Sequence, residues 1–67
     1  MENNWIKIYE SPDDLKAEIV RQLLLENDIE TVVINKKDRV YLIGDIEIYV
    51  NRDMVIQAKS MINKLHV

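Results

Sequence analysis

The chain is 67 residues long, carries a formal net charge of −3, and has no cysteine and one histidine. That excludes disulfides and nearly every structural zinc site, and leaves tight packing or self-association to stabilise a domain that buries only about 60 % of its unfolded surface. The acidic balance disfavours nucleic acid and anionic membranes as partners.

Taken in order, Asn4–Tyr9 alternates. Ile6 and Ile8 point one way and Trp5, Lys7 and Tyr9 the other, the pattern of a half-buried strand. Ser11-Pro12-Asp13-Asp14 then starts a helix. Ser11 is the expected N-cap, Pro12 takes the first helical position, and the two carboxylates meet the positive end of the helix dipole. The helix runs to about Asn27, with Leu15, Ile19, Val20, Leu23 and Leu24 as its apolar stripe and Ala17 at the margin. Leu25 falls nearly opposite, beside Glu18 and Arg21, and is either a partner contact or a solitary exposed leucine. Asn27-Asp28 ends the helix without a glycine, so one of the two takes the left-handed conformation, and Ile29 packs back onto the core.

Thr31–Asn35 is the second strand, with Val32 and Ile34 expected inward and Thr31, Val33 and Asn35 outward. In the third strand Ile46, Ile48 and Val50 face inward, Glu47 and Tyr49 outward. Between them Lys36-Lys37-Asp38-Arg39 is a polar turn. Val40-Tyr41-Leu42-Ile43 is too apolar for a purely solvated loop, and is expected to extend the hairpin with a bulge at Gly44-Asp45. A second helix follows its N-cap Asn51, burying Met54, Val55, Ala58, Met61, Ile62 and Leu65 and exposing Ile56.

A right-handed crossover makes the first two strands parallel, and the hairpin makes the third antiparallel to the second. The expected fold class is α+β: a ferredoxin-like split β-α-β-β-α two-layer sandwich, one domain over residues 1–67. Its three-stranded antiparallel sheet has order 1-3-2, with both helices on one face. The expected core is Ile6, Ile8, Ile19, Val20, Leu23, Val32, Ile34, Ile46, Ile48, Ala58 and Ile62. The open face would carry Trp5, Lys7, Tyr9, Thr31, Val33, Asn35, Glu47 and Tyr49.

Catalytic chemistry finds little footing. A nucleophile needs a base in reach. Ser11 is taken up as a cap, Ser60 lies inside the second helix with no base nearby in sequence, and His66 is penultimate. One glycine cannot form a phosphate cradle. Asp13 and Asp14 are explained by capping, and Asp45 with Glu47 make at most a weak metal pair. The expectation is a non-enzyme with no cofactor. Two constellations remain. Trp5, Tyr9 and Tyr49 on the open sheet face could stack on a planar ligand or pack against a second subunit. Lys36, Lys37 and Arg39 could bind a phosphate or an acidic partner surface and, with Tyr41, form a partner-binding loop, or they are a solvated hairpin tip.

AEIVRQLLLENDIETVVINKKD (17–38) followed by GDIEIYV (44–50) resembles the small bacterial family of putative prokaryotic signal transducing proteins, a domain of unknown function. The resemblance covers nearly all of residues 5–65. The chain departs from the family pattern at Asp28, where glycine is usual, and at Leu25, where a polar residue is usual. The resemblance implies a fold similar to the PII signalling proteins, in which the loop between strands two and three reaches target proteins. Residues 36–45 hold that place here. No PII nucleotide-binding motif matches, so no ligand residue carries over.

No apolar run approaches the roughly 20 residues of a membrane span, and Met1–Asn4 lack the basic start of a signal peptide. The expected protein is therefore a cytoplasmic, non-catalytic interaction or regulatory module with protein partners. The alternative is a small-ligand or nucleotide sensor using the aromatic face. A homodimer is expected through the edge of strand one or the aromatic face, because the usual fourth strand is missing and an open edge invites pairing.

Overall fold

The alternating segments form strands β1 (Trp5–Ser11), β2 (Thr31–Asn35) and β3 (Ile46–Asn51). The helix-period segments form α1 (Asp14–Glu26) and α2 (Val55–Asn63), the latter entered through a 3-10 turn at Arg52–Met54. A computed structural model describes residues 4–65 of the chain; His66 lies outside them. The sheet is antiparallel with order β1-β3-β2, which together with the β-α-β-β-α element order is the ferredoxin-like α+β arrangement expected. Both helices cover the face that carries Ile46, Ile48 and Val50. These pack with Ala17, Val20 and Leu24 of α1, with Ala58 of α2 and with Ile29. The central strand supplies the middle of the core because it alone has a neighbour on each side and helices above it.

The start of α1 differs from expectation. Asp13, not Ser11, is the N-cap: its carboxylate accepts from the N–H groups of Leu15 (2.9 Å) and Lys16 (3.2 Å). Ser11 is still strand, paired with Ile46, and its Oγ accepts from the Asp13 N–H, so the cap moves two residues on and Pro12 precedes it. Asp14 lies in the first turn, where its charge suits the dipole. The buried stripe is Ala17, Val20 and Leu24, so Ala17 belongs to it fully rather than at its margin, while Leu15 and Ile19 are exposed. The C-terminus is a Schellman motif. Asn27 is the C-cap, Asp28 stands at φ 61°, the Asp28 N–H donates to Leu25 O (3.0 Å) and the Ile29 N–H to Leu24 O (2.9 Å). Leu24 and Ile29, both fully buried, make its hydrophobic contact.

Two register findings change which residues occupy each sheet face. In β1, Lys7 pairs with Tyr49 but Tyr9 pairs with Ile48, so Ile8 is the extra residue of a β-bulge. Opposed residues of an antiparallel pair share a face, so Tyr9 lies on the helix side with Ile48 and packs against the core. It is not on the open face with Trp5. In β2, Thr31, Val33 and Asn35 oppose Val50, Ile48 and Ile46, while Val32 and Ile34 oppose Tyr49 and Glu47. The strand is therefore turned over relative to expectation. Val32 and Ile34 are half-buried on the open face, and Val33 is on the helix side. A one-residue offset flips every side chain, and here the pairing with β3 sets the phase. Ile6, Ile8, Leu23 and Ile62 are half-buried rather than fully so.

Candidate partner-binding loop and open sheet face

Residues 36–45 join β2 to β3. The ladder continues into this loop: the Lys36 N–H donates to Asp45 O (3.0 Å) and the Asp38 N–H to Ile43 O (2.8 Å). The hairpin extends as expected but without the expected bulge at Gly44-Asp45, because the Lys36–Asp45 and Asp38–Ile43 bonds keep the register of β2 on β3. Its tip is a single turn organised by Asp38. The Leu42 N–H donates to Asp38 O (2.8 Å), and the Asp38 carboxylate accepts from the N–H groups of Val40 (2.7 Å) and Tyr41 (3.0 Å). These backbone donors, Tyr41 first and then Val40, hold the Asp38 carboxyl below the ordinary aspartate value. Leu42 closes the turn at φ 57°. Gly44 stands at φ 120°, and a Cβ there would meet Lys36 O at 2.6 Å, so only glycine fits where the returning strand crosses Lys36.

This turn presents Val40, Tyr41, Leu42 and Ile43 to water, each at least 70 % exposed. Other large apolar residues are exposed, among them Leu15, Leu25 and Ile56, but these four are consecutive on one loop tip, and contiguous patches of this kind mark interaction sites. The four residues expected to form a binding loop divide into two groups. Lys37 folds back to Asp14 at the start of α1 (3.1 Å), and Lys36 reaches Glu47 (3.3 Å), so both lysines tie the loop to the domain. Arg39 and Tyr41 project with the apolar tip. Asp38 was not singled out in the sequence. Its signal was an aspartate two and three residues ahead of the Val40 and Tyr41 amides, a common turn device.

The open face is organised around Glu47. It sits on the central strand only 7 % exposed, beside Ile34 on β2 and Lys7 on β1. The Tyr49 O–H donates to its carboxylate (2.8 Å), and Lys36 (3.3 Å) and Lys7 (3.5 Å) flank it. The tyrosine hydrogen bond foremost, then the two ammonium groups, hold Glu47 below the ordinary glutamate value against the opposing effect of burial. The same bond raises Tyr49 above the usual phenol value. Lys7 is raised chiefly by Glu10, which accepts its hydrogen bond (3.1 Å). The expected aromatic trio is therefore not assembled. Tyr9 is on the other face, Tyr49 is engaged with Glu47, and Trp5, paired with Asn51, lines a recess with Asp28, Glu30 and Asp53 at the far end of the sheet.

Among the described residues, no group of three or more His, Asp or Glu is placed to hold a metal ion, and no helix is long and apolar enough to cross a membrane. No curated protein and no solved structure matches the chain. A family model does match, over residues 5–66, and its description is "Putative prokaryotic signal transducing protein". The match spans both strands of the hairpin, the loop with its exposed tip, and both helices, so this chain belongs to that family.

Proposed function

We propose that this chain is a non-catalytic, cytoplasmic interaction module of a signalling pathway, which docks a protein partner through the tip of the 36–45 loop. The observation that carries the proposal is the four-residue apolar tip held in place by Asp38. Exposing that surface is costly in water, at roughly 25 cal/mol per Å² of apolar area, and burial against a partner recovers it. The turn is already ordered by backbone hydrogen bonds, which lowers the entropy cost of binding. Membership of the family of putative prokaryotic signal transducing proteins supports a signalling role. The hydroxyl groups support a non-catalytic one: Ser11 Oγ is an acceptor within the turn before α1, and Ser60 is exposed on α2.

A protein pocket suits the tip better than an anionic bilayer. Lys36 and Lys37 are each paired with a carboxylate of the same chain, which leaves Arg39 next to Asp38 and little net positive charge at the tip. The alternative of a ligand sensor on the aromatic face has less support, because Tyr9 is turned to the core and the Tyr49 hydroxyl is engaged by Glu47.

Affinity capture from cell extract tests the proposal with wild type, with Tyr41→Ser/Ile43→Ser, and with Ile56→Ser. Ile56 is 86 % exposed on α2 and controls for general stickiness. The expected result is a discrete partner recovered by wild type and Ile56→Ser and lost by the tip variant, with all three chains giving the same circular dichroism. Equal recovery by all three removes the loop from consideration. Transfer of the wild type, but not the tip variant, to anionic vesicles would replace the protein partner with a membrane.

A further inference from the structure

The sheet ends on β2, and among the described residues no strand pairs with that edge. The ladder from β2 to β3 uses the backbone groups of even-numbered residues, as in the Lys36 N–H bond to Asp45 O and the Asp38 N–H bond to Ile43 O. The N–H and C=O groups of Thr31, Val33 and Asn35 therefore point away from the sheet. The opposite edge, β1, is interrupted by its bulge at Ile8, a device that discourages pairing. The β2 edge has no such device. Its pairing with β3 is regular, and no charge lies between Glu30 and Lys36.

The geometry points to a second copy of this chain as the occupant of that edge, paired antiparallel through β2 about a two-fold axis at Val33. In this register Val33 opposes its own counterpart, Val32 opposes Ile34, Thr31 opposes Asn35, and Glu30 opposes Lys36. The pairs are β-branched with β-branched, polar with polar, and acid with base, each of a kind that stabilises cross-strand contacts. Both outward-pointing sets of backbone groups meet: Val33 exchanges two hydrogen bonds with its counterpart, and Thr31 does so with the second copy's Asn35.

Neighbouring registers fail. An axis at Val32 sets Glu30 against Ile34. An axis at Ile34 sets Glu30 against Asp38 and Thr31 against Lys37. Charge complementarity thus selects one alignment.

The two-fold axis is perpendicular to the sheet and so preserves its faces. Val32 and Ile34 join their counterparts on the open face. On the helix side, Val33 is 42 % exposed in a groove it shares with Glu18 and Arg21 of α1. Leu25, one turn beyond Arg21 on the same side of the helix, is 43 % exposed. Both apolar side chains then lie at the seam. The two sheets become one continuous sheet, with the two 36–45 loops at opposite ends. The inference rests on β2 with the flanking Glu30 and Lys36, and stands or falls apart from the role of the loop tip.

Sedimentation equilibrium of the full chain in the micromolar range is expected to give twice the 7.9 kDa chain mass. Val33→Pro removes an outward N–H and none of those that bond β3. It should stay folded by circular dichroism while the dimer dissociation constant rises at least about tenfold. Val33→Cys gives an independent reading in a chain that has no cysteine. The axis brings the two Cα atoms to about 5.5 Å, within disulfide range, so mild oxidation should yield a covalent dimer. Thr31→Cys, remote from its own counterpart, should not. A single species at the chain mass overturns the proposal, and so does cross-linking at position 31 as ready as at 33. If Val33→Pro fails to fold, the cysteine comparison decides alone.

Discussion

Replacing Asp28 with glycine should stabilise this domain. Asp28 is held at φ 61° as the left-handed residue of the Schellman motif that ends α1. That conformation costs an L-residue roughly 1–2 kcal/mol, with the lower end appropriate to a short polar side chain. Glycine removes the strain but adds about 0.5–1 kcal/mol of unfolded-state entropy. Relief of strain alone is then expected to give about 0–0.5 kcal/mol. Removal of the negative charge at the C-terminal end of the helix adds about 0.3–0.5 kcal/mol. The total is about 0.3–1 kcal/mol, or roughly 1–8 °C in Tm for a domain of this size. The two closing hydrogen bonds, from the Asp28 and Ile29 N–H groups, are backbone donors and survive the change, as does the buried contact of Leu24 with Ile29. Part of any gain could come from removing a negative charge at the negative end of the helix dipole. Asp28→Asn isolates that part, because it removes the charge and keeps the side chain. Thermal unfolding followed by circular dichroism should rank the chains as glycine above asparagine above wild type, with Asp28→Val lowest. A glycine variant no more stable than the asparagine variant would refute the strain argument, and one less stable than wild type would refute the role assigned to this cap.

Gly44→Ala should destabilise by about 2 kcal/mol or more, because φ 120° admits only glycine and the added Cβ would lie 2.6 Å from Lys36 O; an unchanged urea midpoint would contradict this. Glu47→Gln should flatten the acid limb of the stability curve. Glu47 has a lowered pKa in the folded chain, so its contribution is present above the unfolded glutamate value of about 4.3 and is lost as pH falls through the lower folded value. Wild type should therefore lose more Tm than the glutamine variant between about pH 5 and 3, with Glu18 and Asp38, also lowered, leaving a residual slope in both. Parallel declines would remove Glu47 from the acid transition.

The elements and their order were legible because the signals that set them are local. Alternation marks β1 and β3, Asn27-Asp28 stops α1, and Asn51 accepts from the Asp53 N–H to turn the chain toward α2. Strand phase was not legible where the pattern is degenerate. Val32, Val33 and Ile34 are consecutive apolar residues that satisfy either face, and only the pairing of Val33 with Ile48 decides between them. The bulge at Ile8 is hidden for a similar reason. The Ile6-Lys7-Ile8-Tyr9 segment alternates without a break, while the extra residue arises from the length mismatch with β3. Asp13 rather than Ser11 caps α1 because the strand continues to Ser11, a long-range constraint that a capping motif does not contain. The apolar 40–43 run stood out as an anomaly in the sequence, but the Asp38 turn that displays it depends on three backbone amides meeting one residue.

A protein partner that meets the tip of the 36–45 loop lies within reach of a photoreactive group placed there. Site-specific photo-cross-linking tests docking at the tip most directly, with a benzophenone amino acid placed at Tyr41 or, as a control of comparable exposure, at Ile56. Irradiation of the full chain in cell extract should give a discrete protein adduct from position 41 and none from position 56. The same adducts from both positions, or none from either, would contradict docking there.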